Sequence, residues 1–279
     1  METVAFYGAG MVGSGMIRAM LQRGIAVRVW NRSAAKARAL ESAGARAFTD
    51  PAETAHGADR IHLCLRDDGA VDPVIDAALP GIAKASLIVD HSTVLPERVA
   101  ERVGRLGKAG YSYLNAPVFM GPPMALAASG VMMASGEPAL FERVRGALAA
   151  MCSDLRYLGE RPDSAAIYKL MGNAMIFAIV GGINDMLRIA EVQDLSHEAA
   201  YRLFDFYDPS GQIGGRGKRM ASGDYDPSWS LEMAHKDALL MQAAAHHESL
   251  PVIDAMEGLM RNASARGLGH RDLAAVAQR

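Results

Sequence analysis

The sequence predicts an α/β fold, in which a doubly wound parallel sheet is joined by a long central helix to an all-helical C-terminal domain. Three observations predict it. A β-type run, Thr3–Tyr7, leads straight into the spaced glycines Gly8, Gly10 and Gly13 and then into a helical pattern. Short β-type runs alternate with helical connectors as far as Leu158, the signature of a parallel sheet covered on both faces. From Ser164 onward only helical periodicity and loops follow.

The first of these runs carries the most chemistry. A strand, then G-x-G-x-x-G, then a helix from Met11 to Gln22 is the context of a dinucleotide-binding turn. Gly8 permits the tight turn, Gly10 lets backbone approach a pyrophosphate, and Gly13 allows close helix–strand packing. The helix start at Met11 and Val12 offers free N–H groups and the positive end of the helix dipole to phosphate. The N-terminal domain is therefore expected to have a Rossmann fold.

The next strand, Ile25–Trp30, ends in Asn31, Arg32 and Ser33. An acidic residue here would bind a ribose 2′-hydroxyl; the neutral Asn31 with Arg32 and Ser33 instead suits a 2′-phosphate. NADP (NADPH) is thus expected over NAD. Further strands are expected at Ala45–Phe48, Asp59–Leu65, Ser86–Asp90 and Tyr111–Asn115, with Val131–Ala134 and Leu155–Leu158 closing the same sheet. Ligands of such sheets bind beyond the carboxyl ends of the strands. That rule selects Leu65, Arg66 and Asp67, and also Ser92 and Thr93. Pro96 opens a helix running to about Gly107. The stretch Ala116–Ala125, rich in proline and glycine, reads as an irregular apolar loop, and the first domain is expected to cover residues 1–162.

The second domain, 163–279, opens on the helix Ser164–Glu191. It has no charge from Leu170 to Ile183, so it is expected to lie between layers. The uncharged run is too short, and too interrupted by Asn173 and paired glycines, to read as a membrane span. Lys169 near its start shares a face with Asn173, four residues on. Helices are expected at Glu198–Phe206, Ser230–Glu248, Val252–Arg266 and Arg271–Ala277, with a glycine-rich break at Pro209–Gly217. Such a domain cannot extend the sheet, and the apolar helix needs cover on every face, so a homodimer or homotetramer is expected. The basic Gly215–Arg219 reads as a solvated loop or cleft rim. His246 and His247, adjacent on a helix, would point apart and make poor joint metal ligands.

Composition bounds the function. Of 279 residues half are hydrophobic, and the net charge of -2 implies no basic face for nucleic acid. The two cysteines, Cys64 and Cys152, lack metal or redox spacing, which fits a reducing, cytoplasmic setting. A strand beginning at Thr3 leaves no room for a signal peptide.

The chain resembles the β-hydroxyacid dehydrogenase family, which includes 3-hydroxyisobutyrate dehydrogenase and glyoxylate or semialdehyde reductases. The resemblance rests on Gly8–Gly13, Asp90-His-Ser-Thr93, Ala116-Pro-Val118, Lys169-Leu-Met-Gly-Asn173, Lys236-Asp237 and the closing Gly267–Asp272. It implies that Lys169 is the catalytic acid or base and Asn173 its substrate-orienting neighbour. Thr93 would hold the nicotinamide ribose region, and Lys236 would reach the cofactor, with Asp237 beside the substrate. The implied substrate is a small carbonyl compound or hydroxy acid.

One departure stands out. The family usually follows Pro-Val with Ser-Gly-Gly, which receives a substrate carboxylate; this chain has Phe119, Met120 and Gly121. A bulkier or less charged carbonyl compound is therefore expected, although backbone N–H groups near Met120 and Gly121 could still bind a carboxylate. Imine reductases resemble the same architecture but commonly replace the lysine. A scaffold that merely binds the dinucleotide is the non-enzymatic alternative.

Overall fold

The first strand, β1 (Thr3–Tyr7), is apolar on both faces because it runs through the middle of a sheet. The computed structural model describes residues 2–278. Around β1 stand β2 (Ala26–Trp30), β3 (Arg46–Phe48), β4 (Arg60–Leu63), β5 (Leu87–Asp90) and β6 (Ser112–Asn115), in the order β3-β2-β1-β4-β5-β6. Every pairing is parallel. Strand order reverses between β1 and β4, so their carboxyl ends flank the crevice where such sheets bind ligands. One apolar cluster, with Val4, Phe6 and Ile17, packs on one face of the sheet; another, with Tyr7, Ile61 and Ile88, packs on the other.

Two expectations for this half are corrected. The last strands do not close the main sheet: β7 (Val118–Phe119), β8 (Val131–Ala134) and β9 (Asp154–Tyr157) form a second sheet, antiparallel then parallel. The chain leaves β6 at Ala116-Pro117, and Pro117 has no N–H to continue a ladder. Its carbonyl accepts the Met133 N–H at 3.0 Å, which draws β8 alongside β7. Nor is the stretch 116–125 irregular. It contains β7 and the helix Pro122–Leu126, whose prolines preset the first helical φ. That helix lies against the helix Met11–Gln22 at Gly15, where an added Cβ would come within 2.9 Å of Ala125 Cβ.

Contacts divide the chain into two units, Met1–Asn173 and Ala174–Arg279, and the division falls inside the long helix Ser164–Val192. The described residues leave the middle turns of that helix uncovered. Phe177 is 74% exposed, and Met171, Met175, Ile179 and Val180 are also exposed. By length and mean hydropathy, 1.6 over its most apolar window, it is long and apolar enough to cross a membrane. An amphipathic pattern would have found a covering layer within the chain; this helix has none to follow.

In the second unit, the helices Leu231–Ala244 and Pro251–Ala265 enclose a small core of Leu231, Ala234, Ala238, Met260, Ala263 and Ala275. Asp185, buried, accepts the Val252 and Ile253 N–H groups at 2.8 and 2.9 Å and so caps the second of these helices. The expected break at Pro209–Gly217 is instead helical. A π-turn at Ile213–Gly217 runs into the helix Lys218–Ser222. The basic segment is no solvated loop, because Arg216 and Arg219 both pair with Asp272. Asp272 also accepts hydrogen bonds from Ser228, Trp229 and Ala274, and these hold its carboxylate far below the usual range although burial alone would raise it. His246 and His247 lie past the helix end in left-handed turn conformation rather than on a helix.

Candidate active site

The glycine turn is built by exclusion. Gly8 has φ +110°, and a Cβ there would lie 2.2 Å from the Cys64 carbonyl oxygen, so both conformation and space demand glycine. An added Cβ at Gly13 would sit 2.1 Å from the Gly8 carbonyl oxygen, which sets the close approach of helix and turn. Gly10 differs: nothing lies within 4 Å of its added Cβ. The protein itself does not need glycine there, and the open space is what an approaching phosphate requires. Gly10 caps the helix Met11–Gln22 with no side-chain partner, and no acidic residue lies in the first turn. Met11 is exposed and Val12 half-buried beside it. The first N–H groups are thus available to an anion.

Around this turn lies a cavity of about 550 Å³. Gly8 and Gly10 line it with Asn31, Arg32, Ser33, Leu65 and Arg66, all expected from the sequence. Asn31 has a more specific task than expected. Its Oδ1 accepts the Ala9 N–H at 3.0 Å and its Nδ2 donates to the Ser33 carbonyl at 2.9 Å, so it braces the glycine turn against the end of β2. Arg66 pairs with Asp67 at 2.7 Å, and that hydrogen bond holds the Asp67 carboxyl below its ordinary value. Lys36, Trp30 and Cys64 also line the cavity and were not singled out from the sequence. Lys36 could have been: it lies one turn past Ser33, in the helix Ala34–Arg38. Burial and the charge of Asp90 push the Cys64 thiol up to about 12. These residues fit an adenine dinucleotide.

Thr93 follows the carboxyl end of β5 and is half-buried. Its neighbour Ser92 accepts the Leu65 N–H at 2.9 Å, tying the ends of β4 and β5 together below it.

Lys169 projects from the first turns of the long helix and is half-buried. Its Nζ stands 4.1 Å from the centroid of the Phe119 ring, a cation–π contact. Burial lowers its pKa from the ordinary value, which brings the neutral amine nearer to use. Phe119 reaches this position because residue 172 is glycine. An added Cβ on Gly172 would lie 2.2 Å from Phe119 Cζ. The sequence held that signal, since glycine inside a helix costs about 1 kcal/mol against alanine and asks for a reason. Asn173 is half-buried on the next turn, and Met120 and Gly121 follow Phe119 into the helix Pro122–Leu126. Lys236 and Asp237 belong to the second unit, where they pair with each other at 2.6 Å on the helix Leu231–Ala244.

Comparison with known proteins agrees with this geometry. Residues 3–159 match the family described as the NAD binding domain of 6-phosphogluconate dehydrogenase. The chain is 27% identical over 288 residues to the 3-sulfolactaldehyde reductase of Escherichia coli (strain K12), covering 99% of this chain and 95% of that protein. It is 28% identical over 286 residues to the cytokine-like nuclear factor N-PAC of Homo sapiens, covering 99% of this chain but 51% of that protein, so it spans about half of that relative. Among solved structures, the imine reductase from Myxococcus stipitatus in complex with NADP+ superimposes with a TM-score of 0.90 at 22% identity, covering 100% of this chain and 99% of that one. At that identity the likeness is one of fold.

Proposed function

The chain belongs to the family of the NAD binding domain of 6-phosphogluconate dehydrogenase, and from that premise we propose that it reduces a small carbonyl compound with NADPH, Lys169 serving as the proton donor. It is an NAD(P) oxidoreductase of the β-hydroxyacid dehydrogenase type. The observation that carries the finer reading is the half-buried Lys169 ammonium held over Phe119.

The nicotinamide, when bound, supplies or accepts hydride. The protein supplies the rest. The glycine turn and the start of the helix Met11–Gln22 would hold the pyrophosphate, while Arg32, Ser33 and Lys36 would meet the 2′-phosphate. As negative charge builds on a carbonyl oxygen, the Lys169 ammonium stabilises it and hands over a proton. In the reverse direction, the neutral amine accepts the alcohol proton, and its lowered pKa makes that form accessible. Asn173, one turn along the same face, orients the reacting group.

A second reading, imine reduction, is favoured by Phe119. An aromatic ring where the related family carries serine leaves no hydroxyl for a carboxylate, and Lys169 could equally protonate a nitrogen. The fold likeness to an imine reductase is consistent with it. A cofactor-binding scaffold is the reading that the similarity to a nuclear factor brings to mind. We also propose that a second copy covers the exposed long helix, making the enzyme a soluble homo-oligomer of a reducing compartment; sedimentation without detergent tests this.

The deciding experiment is oxidation of NADPH, with NADH alongside, across small acids such as glyoxylate and succinic semialdehyde, bulkier uncharged aldehydes and ketones, and cyclic imines. Turnover of carbonyl compounds that disappears in Lys169→Ala, with NADPH binding retained, is the expected result. Turnover confined to imines would favour the second reading. Turnover unchanged in Lys169→Ala would overturn the role of the lysine. NADPH binding without any turnover would favour the scaffold.

A further inference from the structure

Three side chains at the heart of the sheet are used by none of the chemistry above. Arg60 opens β4, His62 lies two residues on and so on the same face, and His91 follows the end of β5. All three are buried, at 7%, 0% and 3% exposure. They form an unbroken line. Arg60 Nε donates to His62 Nε2 at 3.2 Å, His62 Nδ1 meets His91 Nε2 at 2.8 Å, and His91 Nδ1 meets the Ala116 carbonyl oxygen at 2.7 Å.

The two ends decide how protons sit on the line. A guanidinium can only donate, so His62 Nε2 must be the bare acceptor and His62 Nδ1 must carry the proton. A carbonyl oxygen can only accept, so His91 Nδ1 must also carry a proton, which leaves His91 Nε2 to accept from His62. One arrangement satisfies every ring nitrogen, and in it both imidazoles are neutral and protonated on Nδ1, while the buried Arg60 Nη2 stays without a partner. An added proton on either ring would set donor against donor somewhere along the line. Burial, reinforced by the Arg60 charge, opposes the proton on both rings; on His91 the Ala116 carbonyl and Asp90 push the other way without reversing it. The surrounding groups complete the setting. Glu2 pairs with Arg60, the Phe6 ring stacks on His62, and Asp90 is committed to Tyr113 and the Ser92 N–H.

The far end of the line is the residue at which the chain leaves the main sheet. Ala116 is held on one side by its N–H to the Asp90 carbonyl at 2.7 Å, and on the other by His91. Two residues later β7 begins and delivers Phe119 to Lys169. We propose that His91, backed by His62 and Arg60, is a positioning residue: it fixes the Ala116 carbonyl, and through β7 it sets the Phe119 ring against the Lys169 ammonium. The consequence for catalysis rests on the hydride-transfer reading; the consequence for Lys169 itself does not.

The experiment has two arms. In protein labelled with 15N-histidine, long-range 1H–15N spectra assigned with single His62 and His91 variants should show both rings in the Nδ1–H tautomer, the minority form of free histidine. The second arm compares His91→Asn, whose amide keeps a donor toward Ala116, with His91→Leu, which has none. Lys169 reactivity toward trinitrobenzenesulfonate is followed against pH by peptide mass spectrometry, beside kcat and NADPH affinity. In His91→Leu the Lys169 midpoint should shift from its wild-type value, and kcat should fall by roughly tenfold or more while NADPH affinity holds. His91→Asn should restore both. An Nε2–H tautomer on either ring, or a Lys169 midpoint unmoved in His91→Leu, overturns the proposal. A wild-type enzyme with no turnover, but with the midpoint shifted in His91→Leu and restored in His91→Asn, would count against hydride transfer and uphold the positioning role.

Discussion

Replacing Gly172 by alanine tests the contact on which the Lys169 site is built. The new methyl would lie 2.2 Å from Phe119 Cζ, 2.8 Å from Cε1 and 3.1 Å from Cε2. Carbon atoms in contact rest at about 3.5–4.0 Å, so the ring has to retreat by roughly 1.5 Å. Two opposing effects follow. Alanine favours the helix over glycine by about 1 kcal/mol, while forced repacking costs about 1–3 kcal/mol. In the wild-type background the variant should therefore be neutral or destabilised by up to about 2 kcal/mol. With Phe119→Ala the ring is gone, the clash vanishes, and Gly172→Ala should stabilise by about 1 kcal/mol. The sign change is the diagnostic, measured as a double-mutant cycle in urea. If Gly172→Ala stabilises both backgrounds equally, Phe119 does not occupy the notch and the account of the site fails. The retreating ring also leaves the ammonium, forfeiting a cation–π contact worth about 0.5–2 kcal/mol, so turnover should fall in the single variant.

The glycine turn offers a contrast between fold and ligand: Gly8→Ala should cost more than about 2 kcal/mol in thermal unfolding, because φ and a backbone oxygen both oppose it. Gly10→Ala, with open space around it, should unfold normally yet bind NADPH roughly tenfold or more weakly by fluorescence titration. The lowered Lys169 pKa fixes a sign in the pH dependence. Alcohol oxidation, which needs the neutral amine, should rise with pH and level off below 10.5, whereas carbonyl reduction should fall across the same range. Away from the site, Arg102, with its side chain 2% exposed, donates to Asp72 and Asp68 at 2.7 and 2.5 Å. Burial would raise the Asp72 carboxyl, but Arg102 and Arg98 together hold it below its ordinary value. A lowered carboxylate stabilises the fold above the unfolded pKa and loses that contribution as pH falls through the folded one. Arg102→Met should therefore cost about 3 kcal/mol in urea near pH 7, and the gap to wild type should narrow below pH 3.8.

Most of the fold could be read from the sequence because its signals are local. The strand β1 and the helix Met11–Gln22 were placed to the residue, since β-type runs, glycine spacing and helix starts depend on near neighbours. The separate second sheet could not be read, because nothing in Val131–Ala134 says which edge it joins. That choice is made by the antiparallel pairing with β7 and by the Pro117 carbonyl, sixteen residues before the Met133 N–H that it accepts. In the same way, Gly215–Arg219 looks like a solvated basic loop until Asp272 is brought beside it. The site divides along this line. Gly8, Gly10, Arg32 and Lys169 are legible as motif positions, whereas the clasp of Phe119 by Gly172 and the line through His62 and His91 join residues 53 and 29 apart and leave no local trace.

Cys64 makes the cofactor seat readable by thiol chemistry. It is half-buried and lines the cavity around the glycine turn, and burial pushes its thiol up to about 12. Alkylation by a small thiol reagent should therefore be slow without cofactor, and slower still when a dinucleotide fills the cavity and covers the sulfur. The labelling rate, followed against dinucleotide concentration, would report how much of that seat is occupied.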